Sequence, residues 1–262
     1  MSLPLRVTGL RKSYGKVHAL QGVDFELSAG ECVALIGPNG AGKSTCFACI
    51  AGQKAPDVGR VIWREQDILN SPAHKLRQMG VARTFQVAQV FEALSVIENL
   101  QLVLKAALGV SALDVLQNCL EEEAWHWVHQ MGLDNLGEQV LRSSAANLSY
   151  GSKKRLELAM AMAGLPDPQT GLLLLDEPAA GLSPVERLDM MHRIQSLALK
   201  GTTVLYTEHN MDAVFGVADR VMVLIDGLLV AQGSPSEVAL HPVVVERYLG
   251  RSFVWSEGTA HA

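Results

Sequence analysis

The chain is poor in the residues that mark specialised classes. Only four of its 262 residues are cysteine. Cys46 and Cys49 have CxxC spacing, but no second Cys/His pair is placed to complete a zinc site. Both fall in an expected helix, and buried thiols are the expectation for them, as for Cys32 and Cys119. Basic charge is not in excess: 22 Lys plus Arg stand against 27 Asp plus Glu, a formal net charge of -5. Such a chain has no global attraction to nucleic acid or to an anionic bilayer, and nucleic acid is not expected as a partner. Long apolar runs are missing. Leu172–Leu175 and Val221–Ile225 fall far short of the roughly 18 residues that a membrane helix needs. The start, Met1-Ser2-Leu3-Pro4-Leu5-Arg6, lacks the charged-then-apolar pattern of a signal peptide, so a cytoplasmic location is expected. There is no internal repeat and no low-complexity segment.

What is present is an ordinary globular mixture, 48% hydrophobic and 19% charged, which excludes disorder. A chain of this length forms one large domain or two small ones and buries a core without disulfides or a metal. Residues 5–36 read as short strands. Val33-Ala34-Leu35-Ile36 is a continuous apolar run, suited to a strand buried on both faces. A helical stretch is expected from Lys43 to Ala51 and a strand pair within Val58 to Ile68. From about Val87 to Leu165 apolar residues recur at helical spacing, through Leu94, Ile97, Leu100, Leu104, Leu113, Leu116, Leu120, Val128 and Met131. Strands return at Leu172–Asp176, Thr203–Thr207 and Arg220–Ile225, with helices between them. Ser183-Pro184-Val185-Glu186 and Ser234-Pro235-Ser236-Glu237 each place cap, first-turn proline and capping-box glutamate in register. Asp226-Gly227 is a tight turn between short strands. This alternation implies an α/β core with a parallel sheet, interrupted by a helical insertion.

Gly37-Pro38-Asn39-Gly40-Ala41-Gly42-Lys43-Ser44-Thr45 fits GxxxxGK[ST]. Glycines let the backbone turn its N–H groups inward as an anion nest, and the following helix adds its free N–H groups and positive dipole end. Lys43 is expected to reach the β and γ phosphates, and the Ser44 hydroxyl to ligate Mg²⁺. The motif follows an apolar strand and opens a helix, as that chemistry requires. It also needs an acid on a neighbouring strand. Leu172-Leu173-Leu174-Leu175-Asp176-Glu177 supplies one. Asp176 is expected in the Mg²⁺ shell, and Glu177 beside the γ-phosphate as general base for the attacking water.

Together these residues resemble the nucleotide-binding domain of ABC transporters. The decisive element is Leu148-Ser149-Tyr150-Gly151-Ser152, which looks like the ABC signature LSGGQ and its variants. The resemblance covers nearly the whole chain. It implies an α/β fold: a single P-loop domain over residues 1–262, with a RecA-like mixed or parallel sheet core (roughly 1–86 and 166–262), an antiparallel β subdomain and an α-helical subdomain (roughly 87–165). It further implies that Tyr14 stacks on adenine and that Gln86 joins the core to the helical subdomain and, with Ser44 and Asp176, meets the metal. Ala180-Gly181-Leu182-Ser183 matches the loop after the acidic strand, and His209 matches the histidine that contacts the γ-phosphate. The Trp125-His126-Trp127-Val128-His129 cluster reads as packing or a surface face rather than a metal site.

The signature departs from the usual pattern, with Tyr150 in place of Gly and Ser152 in place of Gln. The tyrosine is familiar in one branch, the ATPases of branched-chain amino-acid importers, with urea and amide importers nearby. Leu94-Ser95-Val96-Ile97-Glu98-Asn99-Leu100 and the ending His241-Pro242…Tyr248-Leu249-Gly250 point the same way. The loop Gly164–Gly171 is longer than the family's usual link. The resemblance implies an ATP-hydrolysing importer subunit using ATP and Mg²⁺, peripheral on the cytoplasmic face of the membrane. Its expected partners are a second ATPase subunit (identical or a paralogue), two membrane permease subunits and, indirectly, a solute-binding protein. Two further ABC readings are a soluble ATPase of iron–sulfur assembly or DNA maintenance and a lipopolysaccharide-export ATPase. DNA-maintenance members usually carry long coiled-coil or zinc insertions that this chain lacks.

Overall fold

The apolar run at residues 32–36 is unbroken because each face of that strand meets a different core. The computed structural model describes residues 4–109 and 120–250; Met1–Leu3, Leu113, Leu116 and Cys119 lie outside them. The strands are β1 (Leu5–Tyr14), β2 (Val17–Leu27), β3 (Cys32–Ile36), β4 (Val58–Trp63), β5 (Gln66–Asp67), β6 (Val81–Arg83), β7 (Leu172–Asp176), β8 (Thr203–Thr207), β9 (Arg220–Ile225) and β10 (Leu228–Gly233). The helices are α1 (Lys43–Ile50), α2 (Ala73–Gln78), α3 (Val96–Ala107), α4 (Glu121–Gln130), α5 (Glu138–Leu141), α6 (Tyr150–Ala163), α7 (Pro184–Leu199), α8 (Met211–Phe215), α9 (Pro235–Ala239) and α10 (Pro242–Val244).

Among the described residues the strands form two sheets. One is six-stranded, in the order β10-β9-β3-β8-β7-β6. Its members run parallel except for the antiparallel β9–β10 hairpin. The other is antiparallel, β2-β1-β4-β5. Val33 and Leu35 of β3, with Leu172 and Leu174 of β7, pack with Phe47 and Ile50 of α1 and with Leu5, Val7 and Val61 of the antiparallel sheet. Cys32, Ala34 and Ile36, with Leu173 and Leu175, face Leu156 of α6 and Ile194 of α7. Each buried Leu of this kind contributes about 1.5–3 kcal/mol by leaving water. An α/β fold with a mixed sheet, an antiparallel subdomain and a helical subdomain is what the motifs imply.

One local expectation is corrected. β1 and β2 are not short; they span 10 and 11 residues, because register shifts along their pairing let a long ribbon twist. The long link Gly164–Gly171 is a structural clip. Asp167 caps its short helical turn through the Gln169 N–H at 3.2 Å and accepts from the Thr170 hydroxyl at 2.7 Å. Thr202 Oγ1 donates to the Pro168 carbonyl at 2.8 Å, and Arg64 donates to the Thr170 carbonyl.

The capping boxes at Ser183/Glu186 and Ser234/Glu237 form as read, and Ser95/Glu98 makes a third at the start of α3. Asp226 and Gly227 both hold positive φ, 49° and 75°, as a tight hairpin turn needs. Cys32, Cys46 and Cys49 are buried and free. Burial pushes their thiols up, that of Cys49 to about 11. In the Trp125–His129 segment Trp127 and Val128 pack inward while His126 and His129 are exposed. No group of three or more metal-ligating side chains that could hold a metal occurs among the described residues. Nor is any helix there long and apolar enough to cross a membrane.

Candidate active site

The carboxyl ends of β3, β8, β7 and β6 lie side by side, where open α/β sheets build their sites. β3 leads into Gly37, whose φ of 148° brings the backbone against β9: a Cβ there would sit 2.0 Å from the Leu224 carbonyl oxygen. Gly42 is as constrained, with φ of 103° and a Cβ position 2.2 Å from the Ala19 carbonyl oxygen. These close approaches require glycine. Lys43 opens α1 and folds back across the loop, its Nζ donating to the carbonyls of Gly37 at 2.7 Å and Pro38 at 3.1 Å. Burial lowers the Lys43 ammonium pKa, while Glu177 and Asp176 oppose that shift. Pro38 is half-buried and Asn39, Gly40 and Ser44 are exposed; Ala41 is buried and Thr45 half-buried. The Ala41 carbonyl accepts from Gly227 N–H at 3.0 Å, bracing the loop on the β9–β10 turn.

The parallel register pairs Asp176 of β7 with Thr207 of β8. Thr207 Oγ1 donates to Asp176 Oδ1 at 2.9 Å and accepts from the Glu177 N–H at 3.0 Å. Arg83, at the end of β6, lies 3.4 Å from the other Asp176 oxygen. Glu177 has φ of 49°, a left-handed conformation that costs a non-glycine residue about 1 kcal/mol or more.

Gln86 and His209 converge on Glu177. Gln86 Nε2 donates to Glu177 Oε2 at 2.9 Å, and His209 Nε2 lies 2.9 Å from Glu177 Oε1. An ionised carboxylate only accepts, so Nε2 carries the proton in this pair. His209 is steadied by Glu208, which is buried. Its Oε2 accepts from the His209 N–H at 3.1 Å and its Oε1 from the Ala179 N–H at 2.9 Å. Three residues marked separately in sequence thus form one cluster, with Asp176 behind it.

Ser149 is the N-cap of α6, its Oγ accepting from the Ser152 N–H at 3.2 Å and donating to Ser152 Oγ at 3.0 Å. Ser149 and Tyr150 are exposed, whereas Leu148, Gly151 and Ser152 are buried. Tyr14 lies on the surface at the end of β1, 46% exposed, with Lys12 Nζ 5.7 Å from its ring centre. Thr207, Arg83, Glu208 and the α6 pair Lys154 and Glu157 stand close to the motif residues His209, Gln86 and Ser152 in sequence, but their spacing assigns them no role. Only the fold brings them to the site.

An all-oxygen donor set suits a hard divalent cation such as Mg²⁺. The Ser44 hydroxyl and the Asp176 carboxylate are of that kind. Gln86 spends an amide N–H on Glu177, and its oxygen is the atom a cation takes. The residues therefore fit the ion.

Residues 20–180 match the ABC transporter family, and the chain belongs to that family. It is one of the family's ATP-binding cassettes, an ATPase. The high-affinity branched-chain amino acid transport ATP-binding protein LivG of Escherichia coli is 38% identical over 264 residues, covering 96% of this chain and 100% of that protein. BraF of Pseudomonas aeruginosa, of the same description, is 35% identical over 263 residues, with 96% and 100% covered. Among solved structures, the ADP conformation of MJ1267, an ATP-binding cassette of an ABC transporter, has a TM-score of 0.81 at 30% identity. It covers 95% of this chain and 100% of that one.

Proposed function

We propose that this chain is the ATPase subunit of an importer for branched-chain amino acids or similar small polar solutes. In this reading it pairs with a second ATPase subunit around ATP and drives two membrane subunits from the cytoplasmic face. The observation that carries the catalytic reading is the convergence of Gln86 and His209 on Glu177, next to the phosphate loop. The named relatives support the solute class.

Glu177 takes a proton from water as the oxygen attacks the γ-phosphorus and the bond to the bridging oxygen breaks. Both of its carboxylate oxygens are engaged, one by Gln86 and one by His209. A base so occupied is poor at accepting a proton. Nucleotide binding is therefore expected to draw at least one of the two donors off, with His209 moving to the γ-phosphate. Lys43 and the backbone N–H groups of residues 39–45 bind the phosphates, and Tyr14 stacks on adenine. Ser44, Gln86 and Asp176 would hold Mg²⁺, which when bound offsets phosphate charge. Ser149 and the N–H groups at the start of α6 would close on ATP held by the partner subunit.

Beside Gln86 lies an apolar groove of about 400 Å³. Leu76, Phe85, Phe91, Val103 and Met160 line it, and of these Phe85 and Phe91 are exposed. It is suited to a cytoplasmic helix of a membrane subunit, packed as an amphipathic helix fills a groove. Affinity purification of the chain from its native membrane tests the reading. Two polytopic membrane subunits, with ATPase activity raised by the solute and its binding protein, are expected. Recovery of the chain with no polytopic partner contradicts it.

A further inference from the structure

We infer that Tyr150 is a positioning residue, tying the signature helix to Gln86 and to the loop after the acidic strand within one chain. The inference rests on the reading of Gln86 and Glu177 given above.

One face of α6 is turned to the segment 85–89 by helical spacing. Residues 150, 154 and 157 lie on consecutive turns of that face. Tyr150 donates its hydroxyl to the Gln86 carbonyl at 3.1 Å. Lys154 Nζ donates to the Phe85 carbonyl at 2.8 Å. Glu157 Oε1 accepts from the N–H groups of Phe85 at 3.1 Å and Gln89 at 3.2 Å. Lys154 and Glu157 thus anchor the flanks of the segment, and Tyr150 holds Gln86 itself. Gln86 is then gripped at both ends, by Tyr150 through its backbone and by Glu177 through its side chain.

The Tyr150 ring makes a second connection. It lies so close to Gly181 that a Cβ there would be 3.1 Å from Cε1, and Gly181 has φ of 77°. A glycine at position 150 makes neither contact. In this chain, therefore, a displacement of the first turn of α6 reaches Gln86 through a hydrogen bond and Gly181 through the ring carbon Cε1. Ser149, the residue offered to the partner's phosphate, is the immediate neighbour of Tyr150. Engagement there is passed to the cluster on Glu177 with one residue between.

Tyr150→Phe removes the hydroxyl and keeps the ring. It is expected to lower kcat about three- to tenfold, the size of one net hydrogen bond. KM for ATP is expected to stay at the parental value, and the thermal midpoint to fall by no more than a few degrees. In a Gln86→Ala background, where the side chain facing Glu177 is gone, Tyr150→Phe is expected to cost less than about twofold more. A parental kcat for Tyr150→Phe, beside an impaired Gln86→Ala, overturns the tie alone and leaves the Gln86 reading standing. The same fold-loss in both backgrounds also overturns it, since Tyr150 then acts independently of Gln86. Parental turnover for Gln86→Ala overturns the reading of Gln86 and the tie with it.

Discussion

His209 Nε2 and Glu177 Oε1 stand 2.9 Å apart, although the two residues end different strands of the sheet. The pair holds the carboxylate in one orientation and makes it the acceptor of a charge-capable donor. Replacing His209 by Ala frees one Glu177 oxygen but removes the group expected at the γ-phosphate. A drop in kcat of roughly 10²-fold or more is expected, the lower end of what a positioned proton-handling group contributes. Nucleotide affinity is expected to change little. Steady-state turnover together with a fluorescent-nucleotide titration checks both.

Thr207 is the hinge of the acidic pair. It is 1% exposed and bonds both Asp176 and the strained Glu177 amide. Thr207→Val keeps the shape and removes the hydroxyl, leaving a partly buried N–H without its acceptor. A stability loss of about 1–3 kcal/mol is expected, measured by urea unfolding, with kcat falling and nucleotide binding retained. An unchanged unfolding midpoint would remove Thr207 from the support of Glu177.

Glu157 links stability to pH. Burial raises its carboxyl from the usual 4.5 to about 7, against the pull of Lys154 and the N–H groups of Phe85 and Gln89. The folded chain holds a proton there that the unfolded chain releases. This contribution to stability is full below pH 4.5 and lost as pH rises to about 7. In Glu157→Gln the carboxamide oxygen keeps both backbone bonds and does not titrate. The variant is expected to gain on the parent as pH rises through that window, by up to about 3 kcal/mol at about 1.4 kcal/mol per pKa unit. Urea midpoints between pH 4.5 and 8 check this; a difference independent of pH contradicts it.

The parts of this molecule legible from sequence are those where backbone geometry restricts residue type. Gly37 and Gly42 are readable because nothing larger fits against Leu224 and Ala19. The start of α7 is readable because a cap, a proline and a glutamate each answer a local demand. β7 is readable because both of its faces are buried and it ends at a charge. β6 and α2 escape such reading: Val81–Arg83 is three residues long and shows no period. Thr207, Arg83 and Glu157 escape it for another reason. Their partners lie 30, 93 and 72 residues away along the chain, so no local spacing carries the signal. Tyr150 was legible as a departure from a pattern, but its contact with Gln86 was not.

The base assignment and the pairing of two subunits around ATP meet in one variant. Glu177→Gln keeps the size of the side chain and one acceptor oxygen, turns the other position into an N–H donor, and removes the proton acceptor. Light scattering coupled to size exclusion, with and without MgATP, measures the mass of that variant. The expected result is a monomer without nucleotide and a dimer with MgATP, alongside turnover reduced by about 10²-fold or more. A variant that turns over ATP at the parental rate, or that holds MgATP and remains a monomer, contradicts the account.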